Sequence, residues 1–255
     1  MTMFLQRPQL EAIPSIYATH PSAKVSERYG FIPTTAIVHA LEGAGFVAVK
    51  AQAARASAER AAFAKHLIRF RHRDHLTTQV GDWLPEVVFV NSHDGSSSYR
   101  VMAGVFRLVC LNGLVIGNGV SEARVRHTKN APDEIVDASF RVIESLPGIA
   151  ENVHAMRSQR LEPFEREAFA TAALTLRYPD DSPIRSSQLL STRRAVDNAP
   201  DLWTTFNVVQ ENLLRGGQPR VDSRRRTRGI SSVGEDVRLN RALWTLAEEL
   251  RRFRT

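Results

Sequence analysis

Cysteine is nearly absent from this chain, in which Cys110 is the only one among 255 residues. A single thiol cannot form an intramolecular disulfide, and it excludes a zinc site built from several thiolates. Its apolar neighbours Leu108, Val109 and Leu111 predict a buried thiol that packs as a small hydrophobic side chain instead of acting as a nucleophile. We therefore expect a protein of the reducing cytoplasm.

Long apolar runs are also missing. No stretch of 18 consecutive apolar residues occurs, so we expect no membrane-spanning segment and no membrane partner. Near the start of the chain, Arg7, Pro8, Glu11 and Pro14 interrupt the apolar region that a signal peptide requires. The apolar content of 43% is nevertheless sufficient to fill the core of a folded protein.

Lysine is scarce, although the chain is basic. The formal net charge is +7, and the four lysines leave 30 arginines among the 34 basic residues. The planar guanidinium group binds phosphate through two parallel hydrogen bonds and stacks on bases, so this excess favours a nucleic-acid partner. A GC-rich genome would produce the same bias without any ligand, and the sequence leaves this alternative open.

Strand patterns cluster before residue 130 and helix patterns after it. Residues 1–33 contain several prolines and predict an extended leader. Residues 34–130 predict a strand-rich part, and residues 131–255 a helix-rich part that continues the same domain. We therefore expect an α+β fold, in which a mixed or antiparallel N-terminal sheet with short helices precedes a helical half packed on it.

The segment 99–113 fits either a hairpin strand or a helix. Phe106, Val109 and Cys110 share one helical face, and the pair Asn112-Gly113 is typical of a helix end. We predict a helix here, followed by a short buried strand.

Two predicted strands carry arginine on one face. Arg69, Arg71 and Arg73 lie on the face opposite to Ile68 and Phe70. Like charges on one strand face repel each other unless acidic neighbours oppose them or a polyanion covers them. The same pattern recurs in Arg124, Arg126 and Lys129. We expect a basic sheet face that binds nucleic acid, and Tyr99 is the nearest candidate platform for stacking a base.

The densest positive charge lies in a loop between two predicted helices. Its six arginines are Arg215, Arg220, Arg224, Arg225, Arg226 and Arg228, and Asp222 is the one acid among them. The glycine, proline and serine residues of this loop predict a flexible segment, which can follow a phosphate backbone without reading base sequence. A solvated linker is the alternative. In the helix before the loop, Asn207, Glu211 and Arg215 predict loop caps or, less favoured, a ligand site.

The histidines suggest an alternative to nucleic-acid binding alone, namely a catalytic metal site. Seven of the eight histidines precede residue 130, and those with metal-binding potential are His66, His72, His75, His93 and His127. His72 and His75 flank Asp74, and His93 is next to Asp94, so a divalent ion held there could activate water on a phosphodiester. These pairs match no defined metal motif, and the competing interpretation is solvent-facing histidines in loops and strand edges.

Three segments together resemble one protein family. Residues 104–115 match the pattern G-x-x-R-x-x-C-x-N-G-L of the DUF932 family, also described as phage/plasmid-like proteins. Residues 202–217 and 236–244 are similar to the C-terminal portion of that family. The resemblance extends from about residue 30 to the end of the chain. It implies an association with plasmids, prophages and other mobile elements, but no catalytic residues.

These observations predict a non-enzymatic DNA-binding protein of a mobile element, acting in recombination, annealing or protection. We expect it to prefer single strands or to bind with little sequence preference, and we expect no cofactor. Ring assembly of identical copies would suit annealing, although no sequence feature establishes a homo-oligomer. Two alternatives stay open: a metal-dependent nuclease using His72, Asp74 and His75, and an inhibitor that binds a host defence protein.

Overall fold

The computed structural model describes residues 4–26, 29–75, 83–108, 112–116, 122–128 and 130–253, without the side chains of His75 and Asn112. Within these residues the chain has the expected α+β class, with an antiparallel sheet in the N-terminal half and helices mostly in the C-terminal half. It divides into two compact units, one formed by residues 1–146 with 232–234 and the other by residues 147–231 with 235–255.

The sheet of the first unit has six strands among the described residues, and every pairing is antiparallel. The strands follow the order β1-β2-β3-β4-β5, and β6 pairs with the other part of β4. Their bounds are β1 Phe46–Ala53, β2 His66–His72, β3 Trp83–Asn91, β4 Tyr99–Arg107, β5 Asn112–Val115 and β6 Glu122–Val125. Because β3 and β4 are almost entirely buried, they form the centre of this unit.

The helix predicted over 99–113 is wrong for the residues that the structure describes. Tyr99–Arg107 forms β4, which pairs with β3 on one side and with β5 and β6 on the other. Asn112-Gly113 begins β5 instead of ending a helix, and residues 109–111 lie outside the described part. A strand paired on both edges and buried on both faces needs no polar face, so tertiary pairing overrides the local helical spacing.

Short helices complete the first unit. They are α1 Arg7–Glu11, α2 Thr34–Gly43, α3 Ala58–Ala61 and α4 Ala131–Glu144, together with a 3-10 turn at Arg73–His75. Pro8 does not prevent α1, because a helix leaves the N–H groups of its first turn without intrahelical partners. Helix α4 packs its buried residues Ile135, Ala138 and Val142 on the side of the sheet that also carries α2.

The second unit is helical. Its elements are α5 Leu146–Ser158, α6 Pro163–Arg177, α7 Ser186–Leu189, a 3-10 turn at Ala195–Asn198, α8 Leu202–Arg215 and α9 Val233–Arg252, the last two helices as the sequence predicts them. Helix α8 is buried on all sides from Leu202 to Leu213, including its polar residues. The Asp201 carboxylate caps its N-terminus by accepting from the backbone N–H of Thr204 at 2.8 Å. None of the described helices is both long and apolar enough to cross a membrane.

Candidate nucleic-acid interface

Arg69 and Arg71 do not line an open basic face, as the strand pattern predicts. Only 3% and 6% of their surfaces are exposed, and both bind Glu86 of β3. Arg69 Nη1 lies 3.1 Å from Glu86 Oε2, and Arg71 Nη2 lies 2.7 Å from Glu86 Oε1. Arg69 Nη1 also donates to the carbonyl oxygen of Leu114 at 3.1 Å. The alternative that acidic neighbours oppose these charges is correct, because a buried cation requires a partner.

The other predicted basic strand is also partly neutralised. Glu122 Oε1 on β6 binds both Arg124 Nε at 3.2 Å and Arg100 Nη2 of β4 at 2.9 Å. Arg73 and Arg126 are exposed and make no ion pair with any residue that the structure describes. Lys129 lies outside the described residues. The arginines of the sheet therefore do not form one continuous electropositive surface.

The histidine pairs do not converge on a metal site. Among the residues described, no group of three or more histidine, cysteine, aspartate and glutamate side chains could hold an ion. His72 Nδ1 lies 3.5 Å from Asp74 Oδ2, and His72 Nε2 donates to the carbonyl oxygen of Ala44 at 3.2 Å. The side chain of His75 lies outside the described part of the chain. His127 stacks on Tyr99 with ring centroids 3.9 Å apart. Since Tyr99 is fully buried, it is not a platform for a base.

His66 and His93 instead meet inside the first unit at the hydroxyl of Thr34. Thr34 Oγ1 lies 2.9 Å from His66 Nε2 and 3.1 Å from His93 Nε2, and it accepts from Asn91 Nδ2 at 3.2 Å. Because His66 Nδ1 donates to the carbonyl oxygen of Ala64 at 3.1 Å, its Nε2 accepts the Thr34 hydroxyl proton. Burial lowers the pKa of His66 to about 3 and that of His93 to about 4. We call Thr34, His66, Asn91 and His93 the buried histidine cluster.

The arginine-rich loop of the second unit is an ordered hairpin, not the flexible segment that its composition predicts. Gly217 N–H donates to the Thr227 carbonyl at 2.8 Å, Thr227 N–H to the Gln218 carbonyl at 2.9 Å, and Arg220 N–H to the Arg225 carbonyl at 3.0 Å. Gly216 and Gly217 start it with φ of 65° and 83°, a conformation that favours glycine. We call residues 217–228 the arginine hairpin.

Helix α8 anchors the arginine hairpin through Asn212. Asn212 Oδ1 accepts from Gln218 Nε2 at 2.8 Å and from Arg193 Nε at 3.2 Å. Arg193 Nη2 also donates to the Gly216 carbonyl at 3.0 Å. Asn212, Gln218 and Thr227 are all buried, so these bonds fix the base of the hairpin in one position. Of the residues predicted to cap a loop, Asn207 instead donates to the Trp203 carbonyl within the helix at 2.7 Å, and it is the neighbouring Asn212 that holds the loop.

Two of the six predicted loop arginines are paired with acids. Arg215 Nη1 lies 3.0 Å from Glu211 Oε1, and Glu211 also binds the guanidinium of Arg194 through two bonds of 2.8 Å. Arg220 binds Asp222, whose pKa falls to about 2 because Arg220 donates hydrogen bonds to its carboxylate. The arginines left exposed, with no ion pair to a described residue, are Arg224, Arg225, Arg226 and Arg228.

Sequence reasoning missed two residues next to the hairpin. Arg177 Nη2 donates to the carbonyl oxygen of Arg228 at 2.5 Å, and its Cζ lies 5.2 Å from the centre of the Tyr178 ring. Tyr178 is partly exposed at the end of α6, close enough to interact electrostatically with Arg220. Nothing in the local sequence around residue 177 indicates this proximity, because its partner Arg228 lies 51 positions further along the chain.

Comparisons with known proteins agree on one family. Residues 21–244 match the family described as domain of unknown function (DUF932). The UPF0380 proteins YfjQ and YafZ of Escherichia coli (strain K12) are each 38% identical to the chain over 243 residues, which cover 93% of this chain and 88% of each relative. No solved structure is significantly similar. The chain therefore belongs to the DUF932 family, as residues 104–115 suggest.

Proposed function

We propose that this protein binds DNA through phosphate contacts made by the arginine hairpin, with little sequence preference. The observation that carries the proposal is the exposure of Arg224, Arg225, Arg226 and Arg228 on a hairpin that α8 holds in place. Four neighbouring cations without acidic partners among the described residues suit a polyanion, because each phosphate contact releases counterions. The buried Arg69 and Arg71 have no part in this interface.

Single strands are the favoured substrate. Tyr178 offers a partly exposed ring beside Arg177, which contacts the hairpin at the Arg228 carbonyl, and an aromatic ring next to cations supports base stacking in proteins that bind single strands. The described residues of the hairpin contain no helix that could enter a major groove. Given the mobile-element association that the family resemblance implies, annealing or protection of such strands is the role that we propose.

The test is the salt dependence of binding to a fluorescent poly-thymidine strand and to a duplex of equal length. For the triple variant Arg224→Ala, Arg225→Ala, Arg226→Ala, we expect weaker binding and a slope of log affinity against log salt reduced by about 2, since each lost phosphate contact removes about 0.7. The matched control replaces three other exposed arginines, Arg73, Arg126 and Arg141, by alanine.

The control removes the same charge from the first unit. A smaller loss of slope in the control supports the hairpin as the interface. Equal losses in the two variants would mean that net charge alone drives binding, and an unchanged slope in the hairpin variant would remove the hairpin from the interface. Replacing Tyr178 by Leu should weaken binding to the single strand more than binding to the duplex.

A further inference from the structure

The first unit contains a cleft that the proposed DNA interface does not use. Its volume is about 760 Å³. One wall comes from residues 22–24, another from residues 54–65 and a third from the turn at residues 94–96. We propose that this cleft binds a nucleoside phosphate. Its volume lies within the range of about 300 to 1,000 Å³ that is usual for small-molecule sites.

Unpaired cations line the cleft. They are Lys24, Arg55, Arg60 and Lys65. None of the four makes an ion pair with a described residue, and Arg60 Nε donates to the Ser57 hydroxyl at 3.4 Å. The arginines of the nearby sheet behave differently, because Glu86 and Glu122 neutralise them. Like charges converging in one concavity repel each other unless an anion binds between them.

The two acids in the cleft cancel only half of this charge. Asp94 Oδ1 accepts from the backbone N–H of Ser96 at 3.0 Å, so its carboxylate is engaged within its own turn. Glu59 is exposed on α3 and makes no ion pair with a residue that the structure describes. Four cations against two carboxylates leave an excess of two positive charges. A phosphate group with two negative charges would balance this excess.

The apolar part of the lining indicates what the phosphate is attached to. Phe63 lines the cleft with its ring 5.5 Å from that of His20, and the small side chains of Ala54, Ala56 and Ala64 line the same cleft. A half-buried aromatic ring among alanines leaves room for a flat group to stack on it. A purine or pyrimidine base linked to phosphate combines this flat group with the required charge.

The buried histidine cluster supports the cleft from beneath. His93 donates its backbone N–H to the carbonyl of Phe63 at 3.2 Å and accepts at its own carbonyl from Ser22 N–H at 2.9 Å. His66 Nδ1 donates to the carbonyl of Ala64 at 3.1 Å. Ser22, Phe63 and Ala64 of the cleft lining are thus hydrogen-bonded to fully buried residues, which favours a site formed before a ligand arrives.

A calorimetric titration with AMP, adenosine and inorganic phosphate tests this proposal. We expect AMP to bind about tenfold more tightly than either adenosine or inorganic phosphate, because only AMP engages both the cations and Phe63. Arg55→Gln and Lys65→Gln should each weaken AMP binding about fivefold or more. The exposed Arg73→Gln serves as the matched control, since Arg73 does not line the cleft.

Three results would overturn the proposal: no detectable AMP binding, equal affinity for AMP and adenosine, or equal weakening by Arg73→Gln. Thermal melting checks that each variant is folded. Phe63→Leu adds a test of the ring, and it should reduce AMP affinity while leaving inorganic phosphate binding unchanged.

A base linked to a phosphate group occurs both in a free nucleotide and at the 5′ end of a DNA strand. A second titration therefore uses the hairpin triple variant, in which backbone binding is weakened, with oligonucleotides that carry either a 5′-phosphate or a 5′-hydroxyl group. Displacement of AMP by the phosphorylated strand alone identifies a strand end, whereas displacement by neither strand identifies a free nucleotide. Because AMP binding is measured without DNA, its failure is distinguishable from failure of the hairpin interface.

Discussion

The guanidinium group of Arg69 occupies the space beside Gly113 that any other side chain would fill. A Cβ atom at Gly113 would lie 2.4 Å from Arg69 Cζ, and one at Gly104 would lie 2.6 Å from Val88 Cγ2 and 3.3 Å from Arg69 Nη1. Both glycines belong to the segment by which the chain resembles its family. Their presence there has a structural reason, because they admit the buried ion pairs of Arg69 and Arg71 with Glu86.

Gly113→Ala should therefore lower the free energy of unfolding by about 2 to 4 kcal/mol, because the new methyl group displaces Arg69 from Glu86. Urea denaturation measures the change. The matched control is Gly43→Ala at the end of α2, where a Cβ meets no atom within 4 Å, and it should be neutral or slightly stabilising. Similar losses in both variants would contradict this role for Gly113.

Glu86→Gln should destabilise the first unit by about 3 to 5 kcal/mol, since it leaves two buried guanidinium groups without a carboxylate. Replacing the whole group with Arg69→Met, Arg71→Met and Glu86→Leu should cost less than Glu86→Gln alone, because no buried charge then lacks a partner. Urea unfolding of the two variants compares them. A larger loss in the triple variant would show that the ion pairs are net stabilising.

The buried histidine cluster predicts a pH dependence of stability. In the unfolded chain each imidazole has a pKa near 6.5, whereas burial lowers the pKa of His66 to about 3 and that of His93 to about 4. Between about pH 4 and 6.5 the unfolded chain binds more protons than the folded chain. The two neutral histidines therefore contribute fully to the free energy of unfolding above pH 6.5, and this contribution is lost as the pH falls. At pH 5 each of the two histidines should lower the free energy of unfolding by about 2 kcal/mol relative to its value above pH 6.5.

Urea unfolding at several pH values between 7.5 and 5 measures the slope of the unfolding free energy against pH. In His66→Gln, one of the buried imidazoles with a lowered pKa is gone, so the slope of the unfolding free energy against pH should be smaller than in the wild type. A slope that is identical in the wild type and in His66→Gln would show that other groups, not this cluster, control acid stability.

Gly216→Ala tests whether the arginine hairpin must be held in one conformation to bind DNA. A Cβ at Gly216 would lie 2.7 Å from the backbone of Arg228, and its φ of 65° disfavours other residues. We expect weaker strand binding although all hairpin arginines are retained. Gly217→Ala is the milder comparison, since its Cβ would meet no atom within 4 Å and only the positive φ opposes it. Unchanged affinity in Gly216→Ala would mean that a disordered arginine segment binds equally well.

Local sequence patterns predicted the helices and strands of this protein more reliably than they predicted which of them pack together. The sequence predicted the helices on either side of the arginine-rich loop, which are α8 and α9, and side-chain alternation predicted β2, because helix and strand periods depend on residues close in sequence. The segment of β4 is the exception. Its structure depends on the strands on both sides of it, which local spacing does not report.

The sequence by itself determined the α+β class, the arginine excess, and the alternation that places Arg69 and Arg71 on one strand face. Only the tertiary structure decided which of these charges are available. Sheet register brings Glu86 against both arginines, although it lies 17 and 15 residues away in the chain, and helix α8 turns the arginine-rich loop into an ordered hairpin. The physical reason is that the exposure of a charge depends on partners that folding brings together from distant parts of the chain.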